Sequence, residues 1–276
     1  MIQVESSTAC NLACSFCPRK TMQRATGKMG IKFFAKIVRQ VAFLGINKVI
    51  PFLNGEPFAF IDLFGWLSVM REWGIRTDLF TNGTLLDATK ASRLLSFADV
   101  IDVLVFSIPA LDAENYEEIT GSNSFDQLKI NVAAFHAMNQ GSISTQIHMP
   151  LMEQTQGYLD RWVAFWKQYC EVVAPTDFYN FAGKVSDPLE LKVDATHETG
   201  FCPRLNHLTV LWDGRCALCC MDSEGEVIIG DLRKQSIVEI YNSPVARAYR
   251  DAHTEGRFAD LELCRKCNMM ITGKAA

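Results

Sequence analysis

Six times along roughly the first 195 residues, a short β-like run is followed by a stretch with helical spacing of apolar residues. No other feature limits the fold as much. The β-like runs are Ile2–Ser7, Lys48–Leu53, Thr77–Thr81, Val100–Ser107, Ile143–Met149 and Thr176–Phe181. Between them lies Ile31–Leu44, whose Phe34, Ile37, Val38 and Val41 share one face. Leu63–Trp73, Ala88–Phe97, Phe125–Met138 and Leu159–Tyr169 have the same helical character. Strands alternating with helices pair in parallel, and chemistry in such folds sits at the C-terminal ends of the strands. Six units are too few to close an eight-stranded barrel. The expectation is an open, partial (β/α)6 TIM-type barrel of the α/β class.

The character changes after about Asp187. His207–Trp212, Asp213–Gly214 and Arg215–Leu218 read as a hairpin with an Asp-Gly turn. Ser236–Tyr241 and Val245–Ala252 read as short helices, and Leu263–Asn268 as a cysteine-bearing tail. The expected division is a barrel over residues 1–195 and a small C-terminal domain over 196–276. A formal charge of −4 gives no electrostatic reason to expect nucleic acid or an anionic membrane surface as partner. The apolar run Val100–Ile108 is broken by Asp102 and too short to span a bilayer. Residues 1–9 lack the basic start and apolar centre of a signal peptide, so a cytoplasmic location is expected.

The chain has ten cysteines: three lie within Cys10–Cys17, six fall between Cys202 and Cys267, and Cys170 stands alone. A disulfide framework suits short exported chains; clustering in a long chain without an export signal favours metal or iron–sulfur ligation. Cys10-x3-Cys14-x2-Cys17 directly follows the first β-like run. Three thiolates on one loop hold three irons of a [4Fe–4S] cube and leave the fourth open to a small chelating substrate. A structural zinc site wants four ligands, and the triad has no histidine beside it.

The spacing of Cys10, Cys14 and Cys17 resembles the signature of the radical S-adenosylmethionine (SAM) superfamily. The resemblance implies that SAM chelates the open iron and is split by one electron into methionine and a 5′-deoxyadenosyl radical. It implies adenine packing for Phe16. Asn54-Gly55-Glu56-Pro57 resembles the family's Gly-Gly-Glu-Pro segment, with Asn54 in place of the first glycine and Glu56 facing the SAM ammonium. Thr81-Asn82-Gly83, Ser107 and Gln146 fall where relatives place further SAM contacts. His148, near the end of the fifth run, is a candidate general base.

Cys202-x11-Gly214-x4-Cys219, followed by Cys264-x2-Cys267, makes a four-thiol set. Spacing alone does not separate a [4Fe–4S] cluster from zinc. The set resembles the auxiliary-cluster domain called SPASM, or twitch in its shorter one-cluster form, and so implies a second [4Fe–4S] cluster. Cys220 competes with Cys219 for the same role. Cys170 and Cys216 are spare, read either as apolar filler or as hydrogen-atom donors.

The short one-cluster arrangement resembles the 2-deoxy-scyllo-inosamine dehydrogenase type. That likeness implies oxidation of a sugar or aminocyclitol alcohol to a ketone, with the auxiliary cluster accepting an electron. Lys184, His148 and Glu153 are the nominated bases. A flavodoxin- or ferredoxin-type protein is the implied electron donor. Relatives that modify ribosomal peptides often carry an extra N-terminal recognition domain; with only nine residues before Cys10, none is expected here. Peptide cross-linking or epimerisation stays open as an alternative. A non-catalytic zinc-binding interaction module is the alternative from another class.

Overall fold

The computed structural model describes residues 1–60, 62–187 and 201–270. Its six parallel strands run in chain order: β1 (Ile2–Val4), β2 (Val49–Ile50), β3 (Thr77–Thr81), β4 (Ile101–Ser107), β5 (Ser144–Pro150) and β6 (Val172–Thr176). β3 to β6 form one parallel ladder, with Ser107 opposite His148 and His148 opposite Ala174. β1 pairs with β2, and a parallel bridge between Lys48 and Arg76 joins β2 to β3. The partial (β/α)6 barrel is therefore present.

The sixth strand ends where the sequence pattern placed its start. β6 covers Val172–Thr176, and the apolar residues of Thr176–Phe181 belong to the loop beyond it. Phe181, Ala182 and Gly183 take φ values of 48°, 55° and 83°, which no strand accommodates. Pro175 is tolerated in β6 because an edge strand has one side without ladder bonds.

Helices α1 (Ile31–Phe43), α2 (Leu63–Glu72) and α3 (Ala88–Leu95) follow the first three strands. α4 (Ala113–Thr120), α5 (Phe125–Asn139), α6 (Glu153–Gln156) and α7 (Leu159–Trp166) complete the barrel's outer layer. The predicted face of α1 is the buried one, with Phe34, Ile37, Val38 and Val41 all inside. α4 and α6 were not anticipated. Two turns give too little periodicity to see, and α4 relies on its ends instead. The Asp112 carboxylate accepts the Asn115 N–H at 2.9 Å, and Gly121 stops the helix at a φ of 68°. Strand alternation then sorts the side chains. On β5, Ile147 and Met149 are buried against helices, while Gln146 and His148 are half-buried and face the barrel lumen.

The C-terminal hairpin extends the barrel's own sheet. β7 (Leu208–Val210) pairs in parallel with β1, Ile2 opposite Leu208 and Val4 opposite Val210, and the Glu5 N–H donates to the Val210 carbonyl at 2.8 Å. The chain turns at Asp213–Gly214, with Gly214 at a φ of 93°, into antiparallel β8 (Arg215–Ala217). A third strand, β9 (Ile228–Asp231), pairs with β8; its apolar run stops at Gly230, too short to signal a strand in sequence. α8 (Ile237–Tyr241), α9 (Pro244–Thr254) and α10 (Glu262–Arg265) follow. The expected boundary at residue 195 lies outside the described residues. Among the described residues no helix is long and apolar enough to cross a membrane.

A buried ion pair fastens the two parts together. Glu5, at the end of β1, is fully buried; the Arg24 guanidinium grips both its oxygens, at 2.5 and 2.9 Å. Arg24 Nε donates to the Ser223 carbonyl at 2.6 Å, and the Glu224 carboxylate accepts the N–H groups of Gln23 and Arg24. Trp212 donates its backbone N–H to Glu5 and its indole N–H to the Ala25 carbonyl. A Cβ at position 27 would come within 2.6 Å of the Trp212 ring, so only glycine fits there.

Candidate active site

The triad loop leaves β1 at the C-terminal end of the strands and is pinned by backbone bonds. Ala13 and Ser15 donate to the last carbonyls of α4, Thr120 and Ile119, at 2.9 and 2.8 Å. The unanticipated helix α4 thus holds the loop that presents Cys10, Cys14 and Cys17. The three thiols lie close enough to act on one another electrostatically. Burial first, then the Cys17 and Cys10 sulfurs, push the Cys14 pKa upward; burial also raises Cys10 and Cys17. Thiols this reluctant to ionise become thiolates when a cationic centre pulls them down, as iron does. Among the described residues no three Cys, His, Asp or Glu side chains converge as the ligands of one ion do. Three soft donors on one short loop are nonetheless the set that a cube of several irons takes.

Asn54–Pro57 lies directly against this loop. A Cβ on Gly55 would sit 2.3 Å from the Ser7 carbonyl oxygen, and the Glu56 N–H donates to the Ala9 carbonyl at 2.8 Å. Gly55 therefore allows close approach to the chain's own backbone. Glu56 is buried, and its carboxylate accepts from the Thr81 hydroxyl at 2.7 Å, the Phe58 N–H at 3.1 Å and the Asn82 N–H at 2.7 Å. Burial raises its pKa to about 7 against these hydrogen bonds. Three donors leave one acceptor position on a carboxylate that no cation yet neutralises.

Thr81 and Asn82 spend their side chains on the protein. Thr81 serves Glu56, and Asn82 Nδ2 donates to Asn11 Oδ1 at 3.0 Å while its Oδ1 accepts from Thr84. They position the carboxylate and the triad loop. Asn54 likewise is buried, with Nδ2 3.5 Å from Glu5 Oε1. Ser107, Gln146 and His148 share the lumen wall on β4 and β5. Burial lowers the His148 pKa, so its imidazole is neutral at neutral pH. Phe16 packs with Ile119, Met152 and Phe178 and lines an open cleft that Glu153 also borders.

Lys184 does not join them. It is partly exposed and paired with Glu226, whose hydrogen bond raises its pKa further, so it stays an ammonium and cannot serve as a base. Glu153 is exposed, at the start of α6. The Tyr179–Lys184 segment, read in sequence as a place for a base, instead anchors the C-terminal tail. Asn180 and Asn268 exchange backbone-to-side-chain hydrogen bonds at 3.1 Å each, and Asn180 Nδ2 donates to the Lys266 carbonyl.

That anchoring closes a thiol-lined pocket. Cys202, Cys219, Cys264 and Cys267 line one pocket, whose other walls are apolar side chains such as Met221 and Met269 together with Arg204 and His253. Four soft donors lining one pocket fit an iron–sulfur cluster. Cys219 lines the cavity; Cys220 lies next to it, beside the Arg204 guanidinium. Cys170 is buried and donates to the Thr145 carbonyl at 2.9 Å, and Cys216 is fully buried on β8, which suits packing roles. Sequence reasoning missed Glu5, Arg24, Asn268 and His253; the first three work through partners distant in the chain, and His253 through Cys264, 11 residues on.

A family model for the Radical SAM superfamily matches residues 4–164, and one for an iron–sulfur cluster-binding domain, SPASM, matches residues 202–268. The probable GTP 3′,8-cyclase of Methanosarcina mazei is 26% identical over 177 residues, covering 61% of this chain and 51% of that protein. This chain thus spans about half of that relative's length. The structure of BtrN in complex with AdoMet and 2-DOIA is similar at a TM-score of 0.70 and 17% identity, over 97% of this chain and 92% of that one. Streptococcus suis SuiB bound to precursor peptide SuiA is similar at 0.74 and 16% identity, over 98% and 70%. At these identities the likeness is one of fold.

Proposed function

Because the chain belongs to the radical SAM superfamily and carries a SPASM iron–sulfur domain, we propose that it oxidises an alcohol carbon of a small sugar or aminocyclitol to a ketone. The observation that carries this reading is the parallel pairing of β7 with β1, which sets the four-thiol cavity in the same sheet as the triad loop. When bound, SAM and its [4Fe–4S] cluster supply a hydrogen-abstracting 5′-deoxyadenosyl radical, and the auxiliary cluster supplies an electron acceptor. Cys10, Cys14 and Cys17 hold the first cluster, and Cys202, Cys219, Cys264 and Cys267 the second. Glu56 takes the SAM ammonium on its remaining acceptor position, with Thr81 and Asn82 fixing the carboxylate. Phe16 packs against the adenine, and Ser107 and Gln146 orient SAM or substrate from the lumen wall. His148, neutral and half-buried, takes the hydroxyl proton. The balance closes: the carbon gives up a hydrogen atom, the hydroxyl a proton, and one electron leaves through the C-terminal thiol set. A flavodoxin- or ferredoxin-type protein is the proposed reductant.

The test is anaerobic incubation with SAM, reductant and candidate substrates, following 5′-deoxyadenosine. Stimulation by an amino sugar supports the reading; stimulation by a peptide alone replaces it with peptide modification. Stoichiometric zinc without sulfide would remove radical chemistry altogether.

Glu56 adds a pH dependence. Its pKa is raised to about 7, so the protonated form is favoured in the fold. The associated stability is present below the ordinary carboxylate range and lost as pH rises through 7. SAM binding, which needs the ionised form, runs the other way. Affinity for SAM is expected to be about tenfold weaker at pH 6 than at pH 8. Isothermal titration should show this slope, and Glu56→Gln should flatten it while weakening binding at high pH. An unchanged slope in that variant would assign the titration to another group.

A further inference from the structure

His253 sits at the end of α9, a helix opened by the Ser243 hydroxyl, which accepts the Ala246 N–H, and by Pro244. The helix's buried residues are Ala246, Ala252 and His253, with Tyr249 partly buried against the core, so small residues bring the backbone close and the imidazole reaches fully inward. His253 is 1% exposed, lines the four-thiol cavity, and places Nε2 3.3 Å from the Cys264 sulfur. Phe201 and Phe258 pack around its ring at 6.2 and 5.8 Å between centroids. Its Nδ1 has no hydrogen-bond partner among the described residues. A ring held this tightly in apolar surroundings, with one polar contact, is built around that contact.

We propose that His253 is a positioning residue for the auxiliary cluster, donating a hydrogen bond from Nε2 to the Cys264 sulfur and holding the cluster at a higher reduction potential. The inference rests on the reading of Cys264 as a cluster ligand. A ligating thiolate carries no hydrogen, so the imidazole must supply it, which fixes the proton on Nε2. A donor aimed at a ligand sulfur stabilises the more negative, reduced form of the cluster. Backbone N–H groups of Arg204 and Leu205 serve the Cys202 sulfur and those of Met221 and Asp222 the Cys219 sulfur, whereas at Cys264 the donor is the His253 side chain. An electron acceptor beside a substrate radical benefits from that bias, whichever substrate the lumen takes.

The test compares wild type, His253→Phe and His253→Gln, each reconstituted anaerobically and titrated electrochemically under paramagnetic resonance. The expected result is a lower midpoint potential for the second cluster in H253F and an intermediate one in H253Q, which keeps a donor. The first cluster's SAM-induced spectral change should be the same in all three. Deuterium exchange should reveal a proton coupled to the reduced second cluster in wild type that is missing from H253F. Equal potentials in wild type and H253F would overturn the proposal. So would equal loss of second-cluster iron from H253F and H253Q in folded protein, since that marks a packing role, and so would direct iron–nitrogen coupling in wild type. Wild-type protein holding only one cluster would instead defeat the two-cluster reading beneath it, and the iron count separates the two failures.

Discussion

Cys14→Ala is expected to abolish 5′-deoxyadenosine formation while leaving the C-terminal cluster in place. With Cys14 gone, Cys10 and Cys17 retain two of the three sulfurs, and no other described thiol lies on that loop. A cube held by two thiolates is not retained, and the iron that receives SAM goes with it. The loop itself should survive, because its bonds to α4 run through the backbone of Ala13 and Ser15. Iron should fall from about eight to about four per chain. The reduced protein should keep one paramagnetic signal that ignores SAM. Retained SAM cleavage would show that the triad does not carry the chemistry. Loss of both clusters would show that the two sites do not assemble independently.

The parts of this protein legible in its sequence are those whose logic is local. Cysteine spacing is set within a loop, so Cys10, Cys14 and Cys17 could be read together, and the period of α1 announced its buried face. Parallel pairing of the barrel strands followed from alternation alone. The rest depends on partners distant in the chain. Nothing near Glu5 predicts Arg24, Ser223 and Trp212 around it. Asn180 and Asn268 are 88 positions apart, and only their mutual hydrogen bonds explain why the segment after β6 is an anchor and not a strand. Resemblance assigns Thr81 and Asn82 to SAM contacts. Their side chains nevertheless turn to Glu56 and Asn11, because a buried carboxylate must be satisfied before it can receive a ligand. Only the fold shows that Cys219 lines the pocket and that Cys220 lies beside Arg204.

Arg24→Met is expected to cost about 3–5 kcal/mol of stability, the range for stripping the partner from a buried charge. Glu5 is wholly buried and Arg24 nearly so, with side-chain exposures of 0% and 5%. Solvent therefore cannot take over when the guanidinium is removed. The remaining donors to Glu5, the Trp212 N–H at 3.2 Å and Asn54 at 3.5 Å, are too long to compensate an ionised carboxylate. In a chain of this size, that loss should lower the thermal midpoint by about 10 °C in calorimetry. Adding Glu5→Gln should recover part of it, because the double variant buries no unpaired charge. The same pair ties the segment after the triad to Ser223, so Arg24→Met should also loosen the C-terminal part against the barrel. Faster amide exchange at Ser223–Glu224 would report that loosening before global unfolding. A stability change below about 1 kcal/mol would mean the pair is no better than a surface ion pair. The fastening would then fall to the β1–β7 ladder and the Asn180–Asn268 bonds.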